Sequence, residues 1–129
     1  MGSIPTVYSE VTVYPEDFIK KVVGDIAIIK VNLPKATFKE AQIFRDKIFY
    51  DILTNKFKII IDLSLCEYIY STFLGALVIA LKKMTERSGK IKYVIPKPEA
   101  LYLLKLTGWF SVPNLYRTSE DAVDSFFYL

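Results

Sequence analysis

Histidine is missing altogether from the 129 residues, and cysteine occurs once, as Cys66. Without imidazole there is no Ser-His-Asp or Cys-His catalysis, no His-ligated zinc, and no side chain that ordinarily titrates near neutral pH. A self-sufficient hydrolase would have to rely on carboxylates, lysine or tyrosine, so the composition argues against an enzyme. One cysteine cannot make an intrachain disulfide, which fits a reducing compartment. No secretory leader is visible, and a cytoplasmic location is expected. Cys66 sits among apolar neighbours and reads as a buried structural thiol, since nucleophilic activation needs a base or positive charge nearby.

Long apolar runs are also lacking. The stretch Phe73 to Leu81 stops at Lys82-Lys83, short of the roughly 18 residues a membrane helix requires, so no membrane association is expected and the run reads as a buried helix. Charge of one sign is scarce: 17 Lys and Arg stand against 14 Asp and Glu, a net +3. The basic residues are scattered, which gives no support to direct nucleic-acid binding. There is no Gly-rich phosphate loop, no metal or cofactor motif, no repeat and no interdomain linker. The opening MGSIPT matches the spacing of a myristoylation signal through Gly2 and Thr6, but a chance match or a cloning remnant is the simpler reading.

What is present is a folded α/β pattern, with 52% hydrophobic and 24% charged residues in a chain of single-domain length. Residues 1–17 read as an N-terminal extension in which Val7, Val11 and Val13 suggest a short edge strand, and 18–129 read as the domain. In FIKKVVGDIAIIKV, two β-branched runs flank Gly24-Asp25, which is a hairpin signal. From Ala36 to Leu53 the period changes to that of a helix, with Phe38, Ala41, Phe44, Ile48 and Ile52 on one face and Asn55 closing it. FKIIIDL is a short continuous apolar run, as expected of a strand covered on both faces. A second helix is predicted from Thr72 to Arg87, with Leu74, Leu77, Val78 and Leu81 inward and Gly89 as the stop. KIKYVIP is a further strand, and a helix is predicted from Pro98 to Gly108. NLYRT is a last short strand. Thr118 and Asp121 have capping-box spacing for a C-terminal helix to Phe127. Strands alternating with about four helices imply parallel pairing within a mixed sheet.

This order, with three stretches, resembles the STAS domain of the anti-sigma factor antagonist (anti-anti-sigma factor) family. IIIDLSLCEYIYSTFLGAL is similar to that family's strand ending in Asp, its short loop, its Asp-Ser-Ser/Thr-Gly-Leu-Gly segment and the helix that follows. SGKIKYVIPKPE resembles the Gly-led next strand, and LLKLTGWF resembles the Leu-x-x-Thr-Gly element after the third helix. The resemblance spans roughly Phe18 to Phe127. It implies a regulatory binding module that sequesters an anti-sigma factor acting as a serine kinase. Phosphorylation at Ser71 (Thr72 being the lesser candidate) would release that partner, and a serine phosphatase would reset it. Asp62, Ser71, Thr72, Leu74 and Gly75 keep the family pattern. Tyr70 replaces its acidic residue and Phe73 its Gly, while Asn32 and Lys35 occupy Gly and Asp places. These departures favour the alternative of a STAS scaffold or transporter-associated subunit that is never phosphorylated.

The position of Ser71 is chemically informative by itself. Ser71 or Thr72 is predicted to cap the helix, a bond contributing about 1 kcal/mol. A helix N-terminus also tolerates a phosphate. Such a charge would act outward on a docked partner. Tyr70, Ser71, Thr72, Phe73, Leu74, Asp62 and Lys35 are therefore the candidate partner-binding residues, with core packing the competing reading for Phe73 and loop capping for Asp62. For an enzyme, Asp25, Asp62 and Glu67 would have to converge in space.

Overall fold

The computed structural model describes residues 6–8, 11–13, 17–54, 56–95, 106 and 114–127. Gly24 at φ +60° turns the chain between β3 (Phe18–Val23) and β4 (Ile26–Val31), which pair antiparallel. Glycine accepts that left-handed conformation without a Cβ clash. The hairpin opens a five-stranded sheet in the order β3-β4-β6-β8-β9. Here β6 is Lys58–Asp62, β8 is Lys90–Val94 and β9 is Leu115–Tyr116, and all pairings beyond the hairpin are parallel. The more N-terminal strands β1 (Thr6–Tyr8) and β2 (Val11–Val13) form their own antiparallel ladder, separate from the edge of this sheet.

Helices α1 (Phe38–Leu53) and α2 (Ser71–Glu86) make the crossovers β4-α1-β6 and β6-α2-β8. Each crossover adds its strand on the same side of the last, so a constant hand lays both helices on one sheet face. Ala27, Ile29, Val31, Ile59, Ile61, Ile91 and Tyr93 pack there against Phe44, Ile48, Phe73 and Leu77. The alternate residues Ile26, Ile28, Ile60 and Val94 meet Ala122 of α3 (Ser119–Asp124) on the opposite face. Burial on both faces is the reason the central strands are continuous apolar runs rather than alternating ones.

Three helices lie among the described residues. The fourth expected one, 98–108, falls outside them apart from Leu106, as does Asn55; Thr54 caps α1 instead. The C-terminal helix starts as expected, with Thr118 Oγ1 accepting from Asp121 N–H at 3.1 Å, but ends at Asp124.

Two helix faces differ from the periodicity reading. Phe38 is 61% exposed because the first turn of α1 lies beyond the packed core that begins at Ala41. In α2 the fully buried stripe is Phe73, Ala76, Leu77, Ala80 and Met84, while Leu74, Val78 and Leu81 are half-buried at its margin. The stop of α2 also differs. Ser88 takes the left-handed conformation (φ 61°), its N–H bonding Thr85 O, and Gly89 N–H returns to Met84 O, both at 3.0 Å. This is a Schellman closure with serine where glycine is usual. Gly89 is required for a different reason: a Cβ there would collide with the Met84 side chain and approach Phe57 O.

Candidate functional site

Beyond the main sheet, a two-residue parallel ladder joins β5 (Lys35–Ala36) to β7 (Tyr68–Ile69). Ala36 and Ile69 point into the core, leaving Lys35, Tyr68 and Tyr70 outside. The ladder delivers the chain into two helix starts side by side, since Tyr70 N–H donates to Ala36 O at 2.8 Å. Both α1 and α2 begin within two residues of it.

The two N-termini are finished differently. Thr37 caps α1: its Oγ1 accepts from Lys39 N–H at 3.2 Å, and its N–H and hydroxyl donate to Glu40 Oε2 at 3.2 and 2.7 Å. That capping box places a carboxylate in the first turn, satisfying donors and opposing the dipole. The N-cap of α2 is Tyr70, which has no side chain able to cap, and the first turn holds no acidic residue. Ser71 and Thr72 are thus the first and second helical residues, not the cap expected for one of them, and both are exposed. The first helical bond runs from Leu74 N–H to Tyr70 O at 2.9 Å, so the amides of Ser71, Thr72 and Phe73 lie ahead of it. This terminus keeps its positive character.

The flanking residues divide between surface and core. Tyr70 is 44% exposed and meets the exposed Tyr68 edge-to-face at 6.1 Å between ring centroids. Lys35 sits opposite Tyr68 in the ladder. Leu74 is half-buried. Phe73 is withdrawn from the surface altogether: its ring packs on Phe44 at 4.8 Å and lies stacked on Phe18 at 6.4 Å. It is therefore a core residue rather than part of a contact patch, because the second turn position after Ser71 points onto the sheet.

Asp62 is likewise structural. It is buried, with Oδ1 accepting from Ser64 N–H at 2.9 Å and Oδ2 from the Ser119 hydroxyl at 2.8 Å. Those bonds fasten the end of β6 to its loop and to α3, on the sheet face opposite Ser71. The three carboxylates considered for catalysis do not meet. Asp25 lies at the hairpin, its pKa lowered by a hydrogen bond from Lys58 Nζ at 3.0 Å, whereas Asp62 is four residues along the neighbouring strand from Lys58, about 13 Å away at the usual rise. The Cys66 thiol faces Val31 O at 3.9 Å, and burial, aided by the Asp62 charge, pushes it up to about 12.

Tyr68 was not singled out in the sequence. Its signal is the alternation in Tyr68-Ile69-Tyr70, where a buried Ile between two tyrosines puts both rings on one side of a strand.

Comparison with known proteins agrees with this architecture. The family model for the STAS domain matches residues 17–122. A Thermotoga neapolitana protein named as a candidate anti-sigma factor antagonist, the TM1081 homolog, is 28% identical over 108 residues, covering 83% of this chain and 95% of the relative. The crystal structure of the Thermotoga maritima candidate antagonist superposes with a TM-score of 0.73 at 28% identity, covering 83% of this chain and 92% of that one. The Bacillus cell fate determinant SpoIIAA in its phosphorylated form shares the fold, with a TM-score of 0.71 at 18% identity over 84% of this chain and 98% of that one.

Proposed function

Because the chain belongs to the STAS domain family, we propose that it is a cytoplasmic partner-switching regulator of the anti-sigma factor antagonist kind. In this reading it captures an anti-sigma factor that is also a serine kinase. That kinase transfers the γ-phosphoryl of ATP to Ser71 Oγ: the bond from the γ-phosphorus to the bridging oxygen of ADP breaks, ADP leaves, the hydroxyl proton is lost to solvent, and the complex dissociates. A serine phosphatase returns the hydroxyl by hydrolysis. The chain itself is a substrate and binder, not a catalyst.

The observation that carries the reading is the exposed Ser71 hydroxyl on the first residue of a helix with neither a side-chain cap nor a first-turn carboxylate. A phosphate there meets positive backbone charge and need not disturb the host domain. Its charge of about −1.5 to −2 acts on whatever is docked. Burying an unpaired charge in an interface costs several kcal/mol, and about 1.4 kcal/mol is already tenfold in affinity. The Tyr68 and Tyr70 rings beside it supply the apolar contact that such a charge would spoil.

The test is phosphate transfer and binding with the kinase co-purified from the native cell. Ser71→Ala should lose the label and keep the complex, and Ser71→Asp should weaken the complex at least about tenfold. Label that persists in Ser71→Ala, or its absence with every co-purified kinase, refutes the switch. A second reading, a scaffold or transporter-associated subunit that is not phosphorylated, is favoured by the exposed Tyr70 and Lys35 in places where the resembled family is acidic. Affinity for the partner that ignores phosphatase treatment selects it.

A further inference from the structure

The ends of α1 and α2 remote from Ser71 form a concave surface. Phe49, Ile52 and Leu53 of α1 face Lys83, Glu86 and Arg87 at the end of α2 across a groove of about 290 Å³. Ile52 is buried at its floor, Phe49 is half-buried, and Leu53 stands 67% exposed at its lip. Sites for whole small ligands run from about 300 to 1,000 Å³; this groove lies at the lower end of that range and has room for one or two inserted side chains. Tyr50 and Phe57 are exposed at the same end, with Phe57 held beside the α2 terminus by Lys90 N–H donating to its carbonyl at 2.9 Å.

Among the described residues the charge around this apolar strip leans positive. Lys83 and Arg87 line it together with Glu86, which lies 3.8 Å from Lys83 with both side chains exposed, and Lys56 and Lys90 lie nearby at the same end. A pair that open to water offsets little. Asp51, on the last turns of α1, is buried and engaged by Lys20, so it does not neutralise the rim. An occupant complementary to this surface carries an apolar anchor with carboxylates on either side.

We propose that the α1–α2 groove is a docking site for an acidic peptide segment of another protein, anchored by a large apolar side chain. Apolar anchors in a groove between helices are a recurrent mode of peptide recognition. The concavity, with cations on the rim, favours a peptide over a flat lipid surface. Lys83 and Glu86 follow Ser71 along α2, which puts the groove about 18 to 23 Å from Ser71 at the helical rise, more than twice the screening length of about 8 Å. A partner held there stays bound whatever the charge at Ser71, so the chain can remain tethered while its other end exchanges partners.

The experiment pans short random peptides displayed on phage against the full chain, with Leu53→Asp as counter-selection. Leu53 is exposed, so that variant folds, which circular dichroism checks. Enriched sequences should pair a Leu, Phe or Met with flanking Asp or Glu. A synthetic representative should bind at least about tenfold more weakly to Leu53→Asp and to the double variant Lys83→Glu/Arg87→Glu, and equally well to Ser71→Asp. Enrichment that Leu53→Asp does not abolish, or enriched peptides with basic or neutral flanks, overturns the proposal. So does binding of the wild type, lost in the same variants, to phosphatidylserine-containing vesicles or to a second copy of the chain in place of peptide.

Discussion

Replacing Ser71 with Asp should make the isolated domain slightly more stable, although the same change is expected to weaken its complex. The sign follows from the asymmetry of the two helix starts. The first turn of α1 already has Glu40, while that of α2 has no acidic residue and no side-chain cap. A carboxylate at an exposed N-terminus is worth about 0.3–1 kcal/mol, and the exposure of Ser71 sets the gain towards the lower half, about 0.5 kcal/mol. For a domain of this size that is roughly 2 °C in Tm.

Because the dipole depresses the new carboxyl's pKa in the folded state, the gain is present above its unfolded pKa of about 3.9 and is lost as pH falls through the lower folded value. It should also shrink in about 1 M salt, where the screening length falls to about 3 Å. Urea denaturation of wild type, Ser71→Asp and Ser71→Asn at pH 7 and pH 2.5, at low and high salt, reads all three signatures. A loss of more than about 1 kcal/mol at pH 7, or a gain that ignores pH and salt, would refute the reasoning. The helix terminus would then not be available to an anion, and the case for a tolerated phosphate would go with it.

Three further outcomes are expected. Phe73→Ala should cost about 3–5 kcal/mol, because the ring is fully buried against Phe18 and Phe44; a cost under about 1 kcal/mol by urea melt would place that ring at the surface. Ser88→Gly should stabilise by up to about 1 kcal/mol through relief of the left-handed serine, whereas Gly89→Ala should destabilise, since its Cβ meets Met84 and the Phe57 carbonyl; equal effects of the two changes in thermal melts would contradict the Schellman geometry. Cys66 in the folded chain should resist a thiol-specific reagent at pH 8 and react at once in denaturant. With its folded pKa raised, its contribution to stability is full below the unfolded pKa of about 8.5 and declines as pH rises beyond it.

The layered α/β fold was legible because local chemistry and tertiary demand coincide in it. Gly24-Asp25 marks a turn wherever it occurs between β-branched runs, and strands buried on both faces must be apolar throughout. The helical spacing of Leu74, Leu77, Val78 and Leu81 also located the α2 start within one residue. Which hydroxyl would cap that helix was not legible, and neither hydroxyl does. The answer turned on the ladder of Ala36 with Ile69, a contact between segments more than thirty residues apart that makes Tyr70 the last extended residue.

By itself, then, the sequence determined the order of the main-sheet strands and of the helices that cross between them, the fold family and the absence of imidazole chemistry, all of which depend on residue type and near-neighbour spacing. The tertiary structure alone decided which side chains of one short stretch face water. Phe73 is drawn inward by two aromatic rings from distant elements, and Asp62 is occupied by Ser64 and by Ser119. Tyr68, Tyr70 and Ser71 are left outside. Burial is set by what the rest of the chain packs above a residue, and no local spacing carries that information.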